Sequence, residues 1–336
     1  MKGFIRIPSD ASLPLLGCIA FGLIDRGTNL IQIRPISGCN INCIFCSVDE
    51  GEKSKTRVTR YLVELDYLIE WFKDVVNFKG KRKIEAHIDG TGEPTLYPWF
   101  VDLVHEISDI EGVDVISVQT NGTTLTEEKI EELSEAGLSR INLSLNAMDS
   151  FIAKKLAGVN WYDVNKIIEI AKSIENSKID LLIAPVWVPT LNDEEILKII
   201  EFTKNLAKKE KKWPILGIQK YEAHKYGRKP KGVKEISWWK FYKELEELEK
   251  KFKVKLKLGP HDFGIHKRRI LPRIFQKGEK VRVKILAPGW MRGEMIGVSK
   301  NTCITVVNCN AKVGDLVNVI ILENKHNLYI AKQVTR

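Results

Sequence analysis

The stretch LIQIRPISGCNINCIFC, residues 30–46, decides how the rest of the chain is read. Its first five residues carry branched apolar side chains in the pattern of a short strand. The strand runs out into Cys39-Asn-Ile-Asn-Cys43-Ile-Phe-Cys46, three thiols at C-x3-C-x2-C spacing. The other cysteines, Cys18, Cys303 and Cys309, lie far away along the chain. A disulfide scaffold would spread its cysteines through a small secreted protein, so the tight cluster points to metal. Three thiolates can hold three irons of a [4Fe–4S] cubane and leave the fourth iron open. Zinc is the alternative, but it takes four ligands, and no second pair stands nearby.

Working outward, short strand patterns alternate with helical ones from residue 30 to 258. Strands are expected at residues 30–34, 83–89, 113–120, 140–146, 180–188 and 217–222. Helices are expected at 62–76, 99–110, 126–136, 162–174 and 193–208. Thr126-Glu-Glu-Lys reads as a capped helix start, and Asp193-Glu-Glu places acids in a first turn. A helix over 238–251 leads to a last strand at 253–258. Such alternation predicts a parallel α/β sheet. Three strands offer a polar face: Glu85, His87 and Asp89; Ser117, Gln119 and Asn121; Asn142, Ser144 and Asn146. Parallel sheets are seldom exposed, so the expectation is an incomplete (β/α)6 barrel with a polar, ligand-filled interior.

The chain has 336 residues, 53 Lys+Arg, 43 Asp+Glu and 44% hydrophobic residues. That is enough for a real core and excludes a wholly disordered chain. No apolar run reaches the roughly 18 residues of a membrane span. The first residues show no clean apolar core before a cleavage site, so no signal peptide is expected and the cytoplasm is the expected address. Of the net charge of +10, residues 261–336 carry +9, with 14 basic and 5 acidic residues. A basic end suggests an anionic partner, nucleic acid first. After Gly259-Pro260 the pattern changes to a basic, Pro/Gly-punctuated segment and five short strands in about 60 residues, as in a small OB-like barrel. The expected organisation is a catalytic domain at 1–258, a basic linker at 259–278 and a small all-β domain at 279–336.

The cysteine triplet, with Phe45 before its last cysteine, resembles the signature of the radical SAM superfamily. Gly90-Thr-Gly92-Glu93-Pro94 resembles that family's GGE-type motif. Val118-Gln-Thr-Asn-Gly-Thr123, Asn142-Leu-Ser-Leu-Asn146 and Pro185-Val-Trp-Val-Pro-Thr-Leu-Asn-Asp193 resemble its later strand ends. The resemblance implies that Cys39, Cys43 and Cys46 hold a [4Fe-4S] cluster and that S-adenosylmethionine binds its open iron. A low-potential electron donor would reduce the cluster, and a 5′-deoxyadenosyl radical would then take hydrogen from the substrate. Phe45 would pack beside adenine, and the backbone around Gly90, Gly92 and Glu93 would receive the methionine amino group. Gln119, Asn121, Ser144 and Asn146 become candidates for ribose and carboxylate contacts, and Val188 for adenine.

Residues 280–334 resemble a TRAM domain through Val281-Arg-Val-Lys-Ile285, Arg292-Gly-Glu-Met-Ile-Gly-Val298 and Val313-Gly-Asp-Leu-Val-Asn-Val319. This implies RNA as the partner, a tRNA above all, with methylation or another carbon-centred modification of a base as the reaction. Lys267, Arg268, Arg269 and Arg273 are expected phosphate contacts, joined by Lys225, Arg228, Lys229 and Lys231 in the loop 224–234. Methylthiotransferases of this kind carry three further cysteines ahead of the triplet; here only Cys18 precedes it, so no second cluster is expected. Cys18, Cys303 and Cys309 read either as a methyl carrier or hydrogen donor or as small buried hydrophobes. The competing reading keeps the radical chemistry but takes a protein or small molecule as substrate, with the basic barrel as a docking module. A non-enzymatic iron–sulfur RNA binder leaves the Gly-Thr-Gly-Glu-Pro motif unused.

Overall fold

The computed structural model describes residues 3–207 and 211–334. Strands β1 (Gly22–Asp25), β2 (Leu30–Arg34), β3 (Ile84–Ile88), β4 (Val113–Thr120), β5 (Arg140–Leu143) and β6 (Asp180–Ile183) form one sheet in the order β6-β5-β4-β3-β2-β1. β1 runs antiparallel to β2, pairing Ile24 with Gln32. The β2–β3, β4–β5 and β5–β6 pairs are parallel. The sheet keeps two edges. Of its polar residues, Glu85, Ser117 and Asn142 are buried, while His87, Asp89, Gln119, Ser144 and Asn146 are half-buried.

Helices α1 (Leu65–Lys79), α2 (Phe100–Ser108), α3 (Glu127–Glu135), α4 (Ser150–Ala157), α5 (Val164–Asn176), α6 (Asp193–Leu206) and α7 (Trp238–Phe252) complete the α/β part. The Thr126 hydroxyl accepts the Lys129 N–H at 3.1 Å, the N-cap bond its sequence announces. The expected end of α6 at Lys208 lies outside the described residues.

Four expected strands differ, the one at 140–146 stopping at Leu143. The strand at 180–188 breaks after Ile183, because Pro185 has no N–H to give a ladder. Pairing resumes only at Val186–Trp187, beside Gln219–Lys220, which is all that forms of the strand expected at 217–222. No strand forms at 253–258. Lys253 turns left-handed (φ 55°) to cap α7, and the Leu256 and Lys257 N–H groups donate to the Glu249 carboxylate at 2.7 and 2.8 Å. A side chain has taken the donors a ladder needs.

The C-terminal strands β7 (Lys280–Pro288), β8 (Glu294–Ser299), β9 (Thr302–Val307), β10 (Leu316–Glu323) and β11 (Ile330–Gln333) close into a five-stranded barrel, β7-β8-β9-β11-β10. β9 and β11 are parallel, an arrangement consistent with an OB-like domain. Val281, Val283, Ile285, Ile304, Val306, Val319, Ile321 and Tyr329 fill it.

Contacts group the chain into two compact units that do not follow the expected cuts at residues 258 and 278. The first unit holds Met1–Gly38, Lys55–Val115 and Lys267–Arg336; the second holds Cys39–Ser54 and Ile116–His266. Within the first, the barrel is built against the start of the chain. The Cys303 N–H donates to Leu16 O at 2.8 Å, and the Tyr329 N–H to Gly17 O at 3.1 Å. Gly17 sits at φ +101°, and a Cβ there would lie 2.1 Å from the Cys303 carbonyl oxygen. The Tyr61 hydroxyl donates to Pro288 O at 2.6 Å, and the Arg57 guanidinium lies 3.7 Å from the Trp290 ring centre.

Residues 267–273, expected as linker, are part of this seam. The buried Lys79 ammonium lies 2.7 Å from Asp25 and also donates to the carbonyls of Thr28 and Arg269. The other Asp25 oxygen accepts the Leu271 N–H at 2.8 Å.

Candidate active site

The cysteine loop lies in the second unit. Ile41 and Phe45 are buried and act as anchors, while Cys39, Cys43 and Cys46 stay half-buried. The loop has no ladder of its own and is lashed by its backbone. The Asn42 N–H donates to Ala157 O at 2.9 Å and the Ile44 N–H to Leu156 O at 3.0 Å, both at the end of α4. Gly158 follows; a Cβ there would meet Asn42 O at 2.1 Å, so a side chain would push the loop off. Arg228 closes the far side. Its guanidinium donates to the Asp49 carboxylate (2.8 Å), Cys43 O (3.1 Å) and Glu50 O (2.7 Å), and its N–H donates to Cys46 O. This corrects its expected role: Arg228 is an inward clamp on the loop, not a phosphate contact.

The donor set fits an iron–sulfur cluster. Three half-buried thiols stand on one short loop, supported by their neighbours. Asn121 Nδ2 lies 3.8 Å from the Cys39 sulfur and 3.0 Å from Asn40 Oδ1, and Asn121 Oδ1 accepts from Thr123. An amide N–H aimed at a ligating sulfur tunes a cluster. Asn121 thus stands beside a thiol. Among the described residues no three metal-binding side chains converge on one ion-sized point. A cubane does not ask for that, since each thiolate takes a different iron.

The strand ends carry the remaining candidates. Gln119 Nε2 donates to Ser144 Oγ at 2.9 Å, so these two half-buried groups act as one unit at the ends of β4 and β5. Asn146 Oδ1 accepts the Val186 N–H at 2.8 Å. The Val188 N–H donates to Asn192 Oδ1, and its carbonyl accepts from Leu191 and Asn192. Val188 is fully buried with its backbone spent on that turn, which counts against an adenine contact. Asn192 also donates to the carbonyls of Asn146 and Val186, so one residue ties both strand ends.

In the first unit, Ser37–Gly38 pairs with Thr91–Gly92. A Cβ on Gly92 would sit 1.9 Å from Gly38 O, so only glycine permits this approach. Gly90 begins the turn, with Gly92 backbone atoms 3.1 Å from where its own Cβ would be. The Glu93 N–H donates to Gly38 O at 2.8 Å, while its carboxylate accepts from the N–H and hydroxyl of Thr95. The acid of the Gly-x-Gly-Glu motif therefore caps a short 3-10 turn and sets the backbone ahead of the cysteines.

A family profile of the radical SAM superfamily matches residues 33–203. The chain belongs to the radical SAM superfamily. An uncharacterized protein of Methanocaldococcus jannaschii is 49% identical over 342 residues, covering 96% of this chain and 79% of that protein. The GTP 3′,8-cyclase of Limosilactobacillus fermentum is 31% identical over 182 residues, 54% of this chain and 52% of the cyclase. The chain thus spans about half the length of such cyclases. Native anSMEcpe with bound AdoMet has a similar fold, with a TM-score of 0.52 at 22% identity over 66% of this chain and 59% of that one. Streptococcus suis SuiB bound to S-adenosylmethionine gives 0.50 at 17% identity over 74% of this chain and 50% of that one. Radical SAM enzymes use a [4Fe–4S] cluster and S-adenosylmethionine and need a reductant. Bound there, the cluster and S-adenosylmethionine supply the radical chemistry. The residues of this chain hold the thiols apart and fix the loop.

The basic candidates divide by setting. Lys267 and Arg273 are exposed. Arg268 is half-buried, with its guanidinium donating to Arg82 O and its N–H to Gly27 O. Arg269 is exposed as well, with its guanidinium 4.0 Å from the centre of the Phe78 ring, so of the four it is Arg268 that serves the seam. Sequence reading missed the better-placed cations. On β7, Lys280, Arg282 and Lys284 are exposed while Val281, Val283 and Ile285 point inward. Lys332 of β11 stands opposite Ile320, which in turn faces Lys280. Strict alternation in KVRVKI was the signal available.

Proposed function

We propose that this radical SAM enzyme modifies RNA, a tRNA base above all, by methylation or another carbon-centred change, in a reducing cytoplasmic setting. The observation that carries the reading is the alternation on β7. It turns three cations outward from a barrel in the part of the chain that holds +9 of the +10 net charge. Such a surface suits a phosphate backbone, and the catalytic part is left to choose the nucleotide. The barrel is read as TRAM-like. OB folds commonly bind oligonucleotides on their second and third strands. Here Thr302, Cys303 and Thr305 of the third strand are buried, with Cys303 against residues 14–16. The open face is that of β7, β10 and β11, with Lys280, Arg282, Lys284 and Lys332.

A small-molecule substrate is the second reading, favoured by the 31% identity to a GTP 3′,8-cyclase. Mass spectrometry of nucleosides from a deletion strain tests the two. A modified nucleoside lost with the gene and restored by the wild type, but not by Cys43→Ala, is expected. An unchanged RNA nucleoside profile would turn the reading toward the small molecule.

A further inference from the structure

Helix α7 begins at Ser237, whose hydroxyl accepts the Lys240 N–H at 3.2 Å. Its core contribution is complete with Phe241, Leu245 and Phe252, all buried. Yet the same first turns present Trp239 at 72% exposure, Trp238 at 48% and Tyr242 at 40%. Leaving three large rings in water forgoes the apolar burial that usually places them inside. Two of them are ordered against each other. Trp238 and Tyr242, one helical turn apart, stack with ring centres 5.7 Å apart and planes at 26°. Phe241 beneath them packs edge-on to Trp187. Beside the rings, between α7 and the Gly217–Lys220 segment, lies a cleft of about 330 Å³.

The surroundings are cationic. Lys220 lies 5.0 Å from the Trp238 ring centre, Lys257 5.9 Å from Tyr242 and Lys243 5.4 Å from Trp239. The loop 223–234 brings exposed Lys225, Lys229, Lys231 and Lys234 and no acid. Its ends are pinned beside the rings: Glu235 takes Lys220 Nζ at 2.6 Å and the Ala223 N–H at 3.1 Å. Three of the four acids that follow on α7 are engaged, and the fourth, Glu247, is exposed. Glu244 pairs with Lys240, Glu246 with Lys257, and Glu249 accepts the Leu256 and Lys257 N–H groups. The same loop supplies Arg228, the clamp on the cysteine loop, so one segment touches both places.

We propose that Trp238, Tyr242 and Trp239 form a stacking platform for unpaired bases of an RNA strand whose phosphates run along Lys225, Lys229, Lys231 and Lys234. This rests on the RNA reading above and adds what that reading lacks, a site for single-stranded rather than duplex RNA. Every base has a flat π face, so aromatic rings beside a basic track hold single strands with little regard to sequence. An unpaired substrate base requires neighbours held out of a helix. The platform supplies that hold on the same unit as the cysteine loop.

The test is fluorescence anisotropy of a labelled oligouridine strand and of a blunt RNA duplex. Binding is measured for the full-length wild type, a Trp238→Ala/Tyr242→Ala double variant and a Trp238→Phe/Tyr242→Phe double variant. The alanine variant should bind the single strand about tenfold or more weakly, since one stacked base contributes about 1–3 kcal/mol. It should bind the duplex almost as the wild type does, because the barrel cations remain. The phenylalanine variant should keep most of the affinity, and cleavage of S-adenosylmethionine without RNA should be unchanged in both. Equal single-strand affinity in the wild type and the alanine variant would overturn the platform and leave the RNA reading standing. Equal losses with alanine and phenylalanine would also overturn it, because stacking survives in one and not the other. A wild type that binds neither RNA, but binds an acidic peptide through the same residues, would overturn both readings in favour of protein docking.

Discussion

Cys39, Cys43 and Cys46 on one side, and Cys18 and Cys303 on the other, are the same chemical group in opposite settings. The first three ride on a loop without a ladder, half-buried, lashed at its edges by Asn42, Ile44 and Arg228. The other two are buried in the seam between the barrel and the start of the chain, where the Cys303 thiol donates to Pro14 O at 3.1 Å. Burial pushes the Cys18 thiol up to about 11, and pushes Cys303 well above its usual range with Cys18 adding to it. A thiolate is the form that binds metal or attacks, and burial withholds that form from Cys18 and Cys303. What separates the two sets is packing, which places the seam cysteines as small buried hydrophobes.

The harshest way to break this comparison is to remove the barrel. Deleting residues 267–336 strips the cover from Leu15 and Cys18, removes the Leu271 bond to Asp25 and leaves the Lys79–Asp25 pair with an open side. The expected result is insoluble or molten protein, read by circular dichroism and gel filtration. A folded, soluble truncation that still reconstitutes a cluster would show the barrel to be an independent module after all.

A gentler cut falls on the loop. Arg228→Ala frees the carbonyls of Cys43 and Glu50 and leaves the buried Asp49 carboxylate without its guanidinium. Breaking such a pair costs about 3–5 kcal/mol in a fully buried setting, and less here because the pair is partly hydrated. The variant should fold, melt a few degrees lower and hold well under the roughly four irons of an intact cubane. Iron content equal to the wild type would remove Arg228 from the account of the loop.

The smallest effect sharpens the contrast in one titration. In cluster-free protein, iodoacetamide should label Cys39, Cys43 and Cys46 at neutral pH and leave Cys18 and Cys303 unmodified. Because the folded Cys18 pKa lies above its ordinary value, thiolate is scarce below about pH 11, and labelling should rise only as pH approaches it or the fold is lost. For the same reason, ionising Cys18 at high pH favours the unfolded chain, so stability should fall as pH rises past the ordinary thiol range. Mass spectrometry locates the label; modification of Cys18 in folded protein at neutral pH would contradict the burial argument.

The sheet and its helices were legible because hydrophobic period and capping residues are local. β2 and β4 fall where the pattern puts them, and Thr126 caps α3 as its sequence announces. The cysteine triplet was legible for the same reason. What escaped is decided by partners distant in sequence. Nothing local says that Arg228, among four lysines, turns inward to Asp49, or that Arg268 is spent on Arg82 while Arg269 stays exposed over Phe78. Asn121 and Asn146 were rightly marked as polar strand ends, but only the fold shows one serving Cys39 and the other Val186. The seam escaped altogether, since a β pattern at the end of a chain reads as a separable domain whatever its outer face touches.

The most direct test of the central claim is 5′-deoxyadenosine formation by the anaerobically reconstituted, reduced protein with and without RNA. The account predicts slow formation by the protein alone, a clear increase on adding unmodified RNA from a deletion strain, and none with Cys43→Ala. No formation by the reconstituted wild type under any condition, or formation that survives Cys43→Ala, would contradict it.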